Sequence, residues 1–280
     1  MRKLKFLVII LVIAGILFYW YSSTKRGEPG EPQDIGEEQV EIDPMNILIL
    51  GLDARTGTRG RTDSIMLLSI RPDREEIFLL SIPRDTRVKI KGGYDKVNAA
   101  YAYGGAELAR KTIEDFLGGI EIDHHVVLNF DAFVKLIDLV GGVEVDVPVR
   151  MDVPDENIDL YPGLQTLDGE KALAYSRFRG TSEGDIGRAK RQQEIVTLLA
   201  DKLFKVQNIV KLPQIIQTMS EYVEHDFSVK EMMKLASEAN QARKKPIVSA
   251  VLPGTNKRID GIWYYLHDEK QLQEMAEFFK

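Results

Sequence analysis

The pattern of apolar and polar positions divides this chain into three parts. Phe6 to Thr24 carries no charge, and Phe6 to Tyr21 is almost entirely apolar. As a helix, those 19 residues rise about 28 Å, close to the ~30 Å hydrocarbon core of a bilayer. Tyr19, Trp20 and Tyr21 close the run, as aromatics do at a membrane interface. A run apolar on every side does not suit a buried soluble helix. A retained anchor is preferred to a cleaved signal peptide, because bulky Phe18 to Tyr21 stands where a small-x-small site is needed. Arg2, Lys3 and Lys5 favour an inside N-terminus, although Lys25 and Arg26 flank the other end.

The next stretch, 25–44, is rich in Gly, Pro and Glu and has nothing with which to build a core. The expected organisation is therefore a cytoplasmic stub and transmembrane anchor over 1–24, a flexible linker over 25–44, and an extracytoplasmic globular domain over 45–280.

Within that domain the periodicity changes from element to element. Asn46 to Leu50, Asp63 to Ile70 and Ile77 to Ile82 are short apolar runs that predict strands. The Arg-Pro-Asp-Arg between the last two is turn chemistry for a hairpin. Ala106 to Leu117 has helical spacing and stops at a Gly pair; His125 to Asn129 reads as a strand. Asp131 is a candidate cap for a helix over Ala132 to Val140, and Val143 to Val147 alternates like a strand. A long amphipathic helix is expected from Ile186 to Lys205, then further helices and a strand near Gly261 to Leu266. Strands alternating with helices predict an α/β fold, a three-layer α/β/α sandwich with a central mixed sheet, preceded by one transmembrane helix.

Charge narrows the chemistry. With 37 basic and 43 acidic residues the net charge is −6, which argues against a nucleic-acid partner. The chain has no cysteine, so thiol nucleophiles and thiolate metal sites are excluded. An acidic protein that binds phosphate must gather its arginines in one place.

Three segments supply the candidates. In GLDARTGTRGRTDS, Asp53 follows one expected strand and Asp63 begins the next, with nine residues between them. Two carboxylates at facing strand ends can share a hard cation, though Asp is also an ordinary turn residue. Arg55, Arg59 and Arg61 between them suggest an anionic ligand, with a solvated loop as the alternative. In SIPRDT, Pro83 ends a strand sharply and displays Arg84 beside Asp85. In YSRFRG, Tyr175 to Arg179 as a strand would point Arg177 and Arg179 the same way. In the helix that follows, Arg188, Arg191 and Gln192 fall on one face. Converging guanidiniums repel unless an anion sits between them, and their forks match phosphate oxygens in pairs.

Together GLD, RTDS, SIPRDT, KVNAAY, GGVEVDV, LDGEKALAYSRFR and DIGRAKRQQ, in this order from about Met45 to Phe204, closely resemble the LytR-CpsA-Psr family of cell-envelope proteins. The resemblance implies a phosphotransferase. Such an enzyme moves a glycopolymer (teichoic acid, capsule or another wall polymer) from an undecaprenyl-pyrophosphate carrier to peptidoglycan and releases undecaprenyl phosphate. By motif, Asp53 and Asp63 would hold Mg²⁺ (or Mn²⁺). Arg61, Arg84, Arg177, Arg179, Arg188 and Gln192 would bind pyrophosphate, with Lys96 and Asp185 also in family motifs. The resemblance further implies an apolar interior for the polyprenyl tail and a site on the outer face of the cell membrane. Two alternatives compete: a hydrolase of the same lipid pyrophosphate, and a non-catalytic carrier or regulator.

Overall fold

The computed structural model describes residues 44–52, 61–203 and 245–280, together with 215, 217–218, 221–228, 230–232 and 235. The expected anchor, and Asp53, Arg55 and Arg59, lie outside the described residues. Among the described residues no helix is long and apolar enough to cross a membrane.

The apolar runs form the strands they predict. β1 (Met45–Leu52), β2 (Thr62–Arg71) and β3 (Glu76–Ser81) pair antiparallel in sequence order. The β2–β3 turn is a single 3-10 turn at Pro72–Arg74, closed by Glu75 in the left-handed region. A short hairpin, β4 (Arg87–Ile90) with β5 (Gly93–Lys96), follows β3. Helix α1 (Ala99–Phe116) begins earlier than its periodicity suggested and kinks at Gly104-Gly105. β6 (His124–Leu128) then pairs parallel to β1.

Helix α2 (Phe130–Leu139) corrects one expectation. Its cap is Asn129, whose side chain accepts from Ala132 N at 2.8 Å, and Asp131 sits inside the first turn instead. β7 (Val143–Val147) alternates as expected but leaves the main sheet. It pairs with β10 (Gly163–Leu167), and β8 (Met151–Val153) pairs with β9 (Ile158–Leu160).

The second correction concerns the YSRFR segment, in which Tyr175 to Arg177 form the last turn of a helix and not part of a strand. Helix α3 (Gly169–Arg177) starts at Asp168, whose carboxylate accepts from Lys171 N at 2.9 Å, and ends at Phe178. Gly169 and the continuous run Ala172 to Ser176 are its buried positions. Helix α4 (Gly184–Leu203) follows after a short loop.

The remaining described elements complete the sheet. β11 (Glu224–His225) and β12 (Val248–Val251) give the strand order β11-β6-β1-β2-β3-β12. β13 (Gly254–Ile259) and β14 (Ile262–His267) form a hairpin where the sequence predicted one strand, and α5 (Glu269–Ala276) ends the fold.

The central sheet is mixed and carries helices on both faces. Alternation sends Leu48, Leu50, Ile65, Leu67 and Leu80 into a core with Ala106, Ala109 and Ile113 of α1 and Leu272 of α5. On the other face Gln193 of α4 donates to the carbonyls of Leu79 (3.3 Å) and Ala250 (2.6 Å), tying that helix to β3 and β12. The ends of β1, β3 and β6 with Leu52, Ser81 and Leu128 open toward the same edge as the start of β2, where Asp63 lies. Ligands of α/β sheets bind at such carboxyl ends.

Candidate active site

Most of the candidates among the described residues sit at or near element ends. Thr62 starts β2 buried, so Asp63 emerges at the sheet's edge. Pro83 ends β3, and Arg84 reaches back across to Asp63, donating from Nη1 to Oδ1 at 2.7 Å. The last turn of α3 presents Arg177, the loop after it Arg179, and the first turns of α4 Asp185, Arg188 and Gln192.

These groups form a linked network of alternating sign. Arg179 Nη2 lies 3.9 Å from Asp63 Oδ2, and its Nε lies 3.5 Å from Asp185. Arg188 Nη2 approaches Asp185 at 3.2 Å. Asp85 accepts from Lys96 Nζ at 2.8 Å and stands 3.9 Å from Arg84 Nε. Arg188 is only 6% exposed while Asp185 is 51% exposed, so the arginine is the fixed member of that pair.

Arg84 is the centre of the network. Burial works against its charge, but the hydrogen bond and charge of Asp63, with Asp85 and Asp185 behind, outweigh it and hold its pKa above the ordinary arginine value. Its Nε is buried without a hydrogen-bond acceptor among the described residues. An unmatched buried donor is costly, and a phosphoryl oxygen is the kind of acceptor that would satisfy it.

The network forms one end of a cleft of about 350 Å³. Arg84, Arg177, Arg179, Arg188 and Gln192 border it at that end; Ile49, Leu52, Met66, Leu128, Phe133 and Val196 border the rest. Helices α2 and α3 each give the cleft an apolar side chain, Phe133 and Leu173, and pack closely against one another. Gly169 makes that packing possible: a Cβ there would lie 2.3 Å from the Val134 carbonyl oxygen. One charged end and one apolar end suit an amphiphile with an anionic head.

Three placements depart from expectation. Arg191 does not join the arginine cluster. It is buried, donates to the Phe178 carbonyl, and serves to fix the loop that carries Arg179. Arg177 turns partly from the cluster, with Nη2 3.4 Å from Glu156 and its guanidinium 5.3 Å from the Phe130 ring. Arg61 is exposed, and none of the ion pairs described above includes it. Glu156 borders the cleft, and the sequence reading missed it; its turn Pro154–Glu156 comes to Arg177 only through tertiary structure.

For a divalent metal, Asp63 brings a carboxylate to the cleft's edge, and Asp53 lies outside the described residues. Among the described residues no group of three or more acidic or imidazole side chains gathers to hold a metal.

Known proteins resemble this chain in sequence and fold. A polyisoprenyl-teichoic acid–peptidoglycan teichoic acid transferase TagU of Halalkalibacterium halodurans is 36% identical, covering 94% of this chain and 91% of its own. The crystal structure of Bacillus subtilis TagV superposes with a TM-score of 0.74 at 33% identity, covering 85% of this chain and 96% of that one. TagT bound to LIIa-WTA gives a TM-score of 0.71 at 31% identity, covering 90% and 95%. The LytR_cpsA_psr family model matches residues 19–280, and the chain belongs to that family.

Proposed function

We propose that the protein is a transferase that passes a teichoic-acid-type polymer from a polyprenyl pyrophosphate to a hydroxyl of peptidoglycan. The observation that carries this reading is the division of the cleft, with guanidiniums gathered at one end and apolar side chains along the other. The apolar wall accepts the start of the lipid tail, and the arginine end accepts the pyrophosphate. The names of its relatives support the reading: TagU is a teichoic acid transferase, and TagT has been solved with LIIa-WTA bound.

The reaction follows from the charges. The acceptor oxygen forms a bond to the phosphorus distal to the lipid, the bridging P–O bond breaks, and polyprenyl phosphate leaves. Catalysis of phosphoryl transfer is mostly positioning and neutralisation of charge. Arg84, held in place by Asp63, and Arg188, rooted in α4, supply fixed donors that need no reorganisation during the step. Arg179 is more exposed and bridges Asp63 to Asp185, so it can turn onto a phosphate when one enters. A Mg²⁺ or Mn²⁺ ion held by Asp53 and Asp63 would supply Lewis-acid stabilisation at the phosphoryl oxygens. The same reading places the domain outside the cytoplasm, tethered by the apolar segment Phe6 to Thr24.

The test uses the full chain in lipid nanodiscs, a polyprenyl-pyrophosphate-linked disaccharide and a peptidoglycan fragment, with Mg²⁺ or with a chelator. The expected products are a phosphodiester-linked glycan and polyprenyl monophosphate, both metal-dependent. Binding without joining would replace the transferase with a carrier. Free sugar phosphate at saturating acceptor would replace it with a hydrolase.

A further inference from the structure

The hairpin of β4 and β5 grows directly from the arginine network. Arg84 and Asp85 lead into it, and Lys96, which ends it, returns to Asp85 at 2.8 Å. Its strands of 4 residues, at about 3.3 Å each, keep the Lys91-Gly92 turn within ~13 Å of that network. Side chains of the hairpin meet two other elements. The Arg87 guanidinium lies 3.6 Å over the Tyr94 ring and 5.7 Å from that of Tyr264 on β14. Lys91 Nζ donates to the Tyr103 carbonyl of α1 at 3.3 Å, and the Tyr103 hydroxyl donates to Asp95 at 2.6 Å. Ile262 stands two positions before Tyr264, on the same face of β14, and Trp263 points from the other face of that strand's start. Tyr94, Tyr103, Ile262 and Trp263 are 49–59% exposed. Single exposed apolar side chains need no explanation, but four on neighbouring elements mark an interaction surface. Charge sets the same surface apart. Segments 87–96 and 254–263 hold six cations and two carboxylates in a chain of net charge −6, and one of those carboxylates, Asp95, is taken by Tyr103.

We infer that this patch is the surface on which the domain rests against an anionic lipid bilayer. Tyrosine and tryptophan settle at the head-group level, apolar body inward and polar tip in water. Lysine and arginine beside them are drawn to anionic head groups. Sugars also stack on exposed rings, but neutral sugar faces leave the surrounding cations unmatched, and charge complementarity favours the bilayer. The inference rests on the reading of a lipid-linked donor and adds how that donor is met. Its pyrophosphate lies at the head groups, so the arginine network has to come within reach of them. The patch borders the network and brings it there, and isoprene units lifted from the bilayer pass into the apolar end of the cleft. The tether permits this pose. The linker joins at Met45, the end of β1 remote from Leu52 and the network. The 8 residues of β1 cover ~27 Å, whereas the stretch 25–44 extends up to ~70 Å. The domain is therefore free to turn its network toward the membrane although its tether leaves from the opposite end.

The test uses Trp263 as its own reporter. The chain has two tryptophans, Trp20 and Trp263, so Trp20→Phe in the full chain leaves the patch residue to emit alone. That protein is reconstituted in nanodiscs of phosphatidylglycerol or of phosphatidylcholine, with and without lipids brominated high in the acyl chain. The expected result is at least twofold quenching by brominated phosphatidylglycerol, much weaker quenching in phosphatidylcholine, and loss of the effect in 1 M salt, which screens charges beyond about 3 Å. Each cation near an anionic surface strengthens binding about fivefold. Lys89→Gln, Lys91→Gln and Lys257→Gln together should therefore remove most of the quenching. Emission indifferent to bromine overturns the proposal, and so does a triple variant quenched like its parent. Emission that ignores lipid but shifts with added peptidoglycan fragments makes the patch a glycan platform and overturns it as well. No donor is present, so the result is independent of turnover. Quenching in a protein that transfers nothing keeps the surface and sinks the transferase reading; transfer without quenching does the reverse.

Discussion

Arg84 and Asp63, 21 positions apart in the chain, meet at 2.7 Å where the end of β3 faces the start of β2. Asp63 holds the guanidinium charged and oriented, and Arg84 Nε is left buried without an acceptor among the described residues. A side chain fixed in this way with a donor to spare is organised for a ligand that has yet to arrive.

Replacing Arg84 with alanine should therefore remove activity and spare the fold. Loss of a preorganised donor typically lowers kcat by about 10²–10³. Arg84 sits at a strand end with its side chain 24% exposed, so no core cavity opens. Steady-state kinetics with a thermal melt checks both halves. Parental turnover in Arg84→Ala would place the chemistry elsewhere.

Much of this was legible in the chain, and the failures have physical causes. The sheet strands could be read because continuous apolar runs bounded by Gly, Pro and Asp have few other uses. YSRFR misled because five residues are too few to separate alternation from helical spacing; the register is set by Asp168, upstream of the segment. Asp131 lost the cap to Asn129 because the chain turns two residues earlier than the apolar pattern shows. Arg188 and Arg191 looked equivalent on one helical face, yet the Phe178 carbonyl claims Arg191 and leaves Arg188 to the cleft. Glu156 carried no local signal because its role arises from a contact 21 residues away.

Filling the apolar end of the cleft should discriminate donors by their tails. Val196 is half-buried and borders the cleft on α4. Val196→Trp should raise KM for a long-chain donor tenfold or more and leave a donor with a single isoprene unit nearly unchanged. Each buried methylene contributes about 0.8 kcal/mol, so even partial exclusion of the tail is measurable. Equal effects on both donors would separate this wall from lipid binding.

Gly169→Ala should destabilise the domain through one contact. The new Cβ would meet the Val134 carbonyl oxygen at 2.3 Å, and both partners are backbone-anchored. Overpacking of this kind costs about 1–3 kcal/mol. Denaturant unfolding measures it, and a midpoint equal to the parent's would show that α2 and α3 separate freely.

Tyr175 gives the domain a defined alkaline limit. Burial first, and then the 2.6 Å hydrogen bond to Glu194, push its pKa well above the ordinary tyrosine range. A raised pKa means that the folded state keeps a proton the unfolded chain loses. Stability is thus whole below about pH 10, the unfolded tyrosine's pKa, and falls as pH rises beyond it. Unfolding titrations from pH 8 to 11 should show that decline, and Tyr175→Phe should flatten it. A slope unaffected by the substitution would assign the alkaline limit to another group.

The most direct test of the account follows the phosphorus. A lipid pyrophosphate donor labelled with ³²P only at the phosphorus distal to the lipid is incubated with the enzyme, Mg²⁺ and peptidoglycan. Transfer through the arginine cluster, with the lipid phosphate leaving along the apolar cleft, carries the label onto the glycan and leaves unlabelled polyprenyl monophosphate. Label retained on a lipid pyrophosphate while polymer appears on peptidoglycan would mean that the sugar–phosphate bond had broken instead, and would contradict the account.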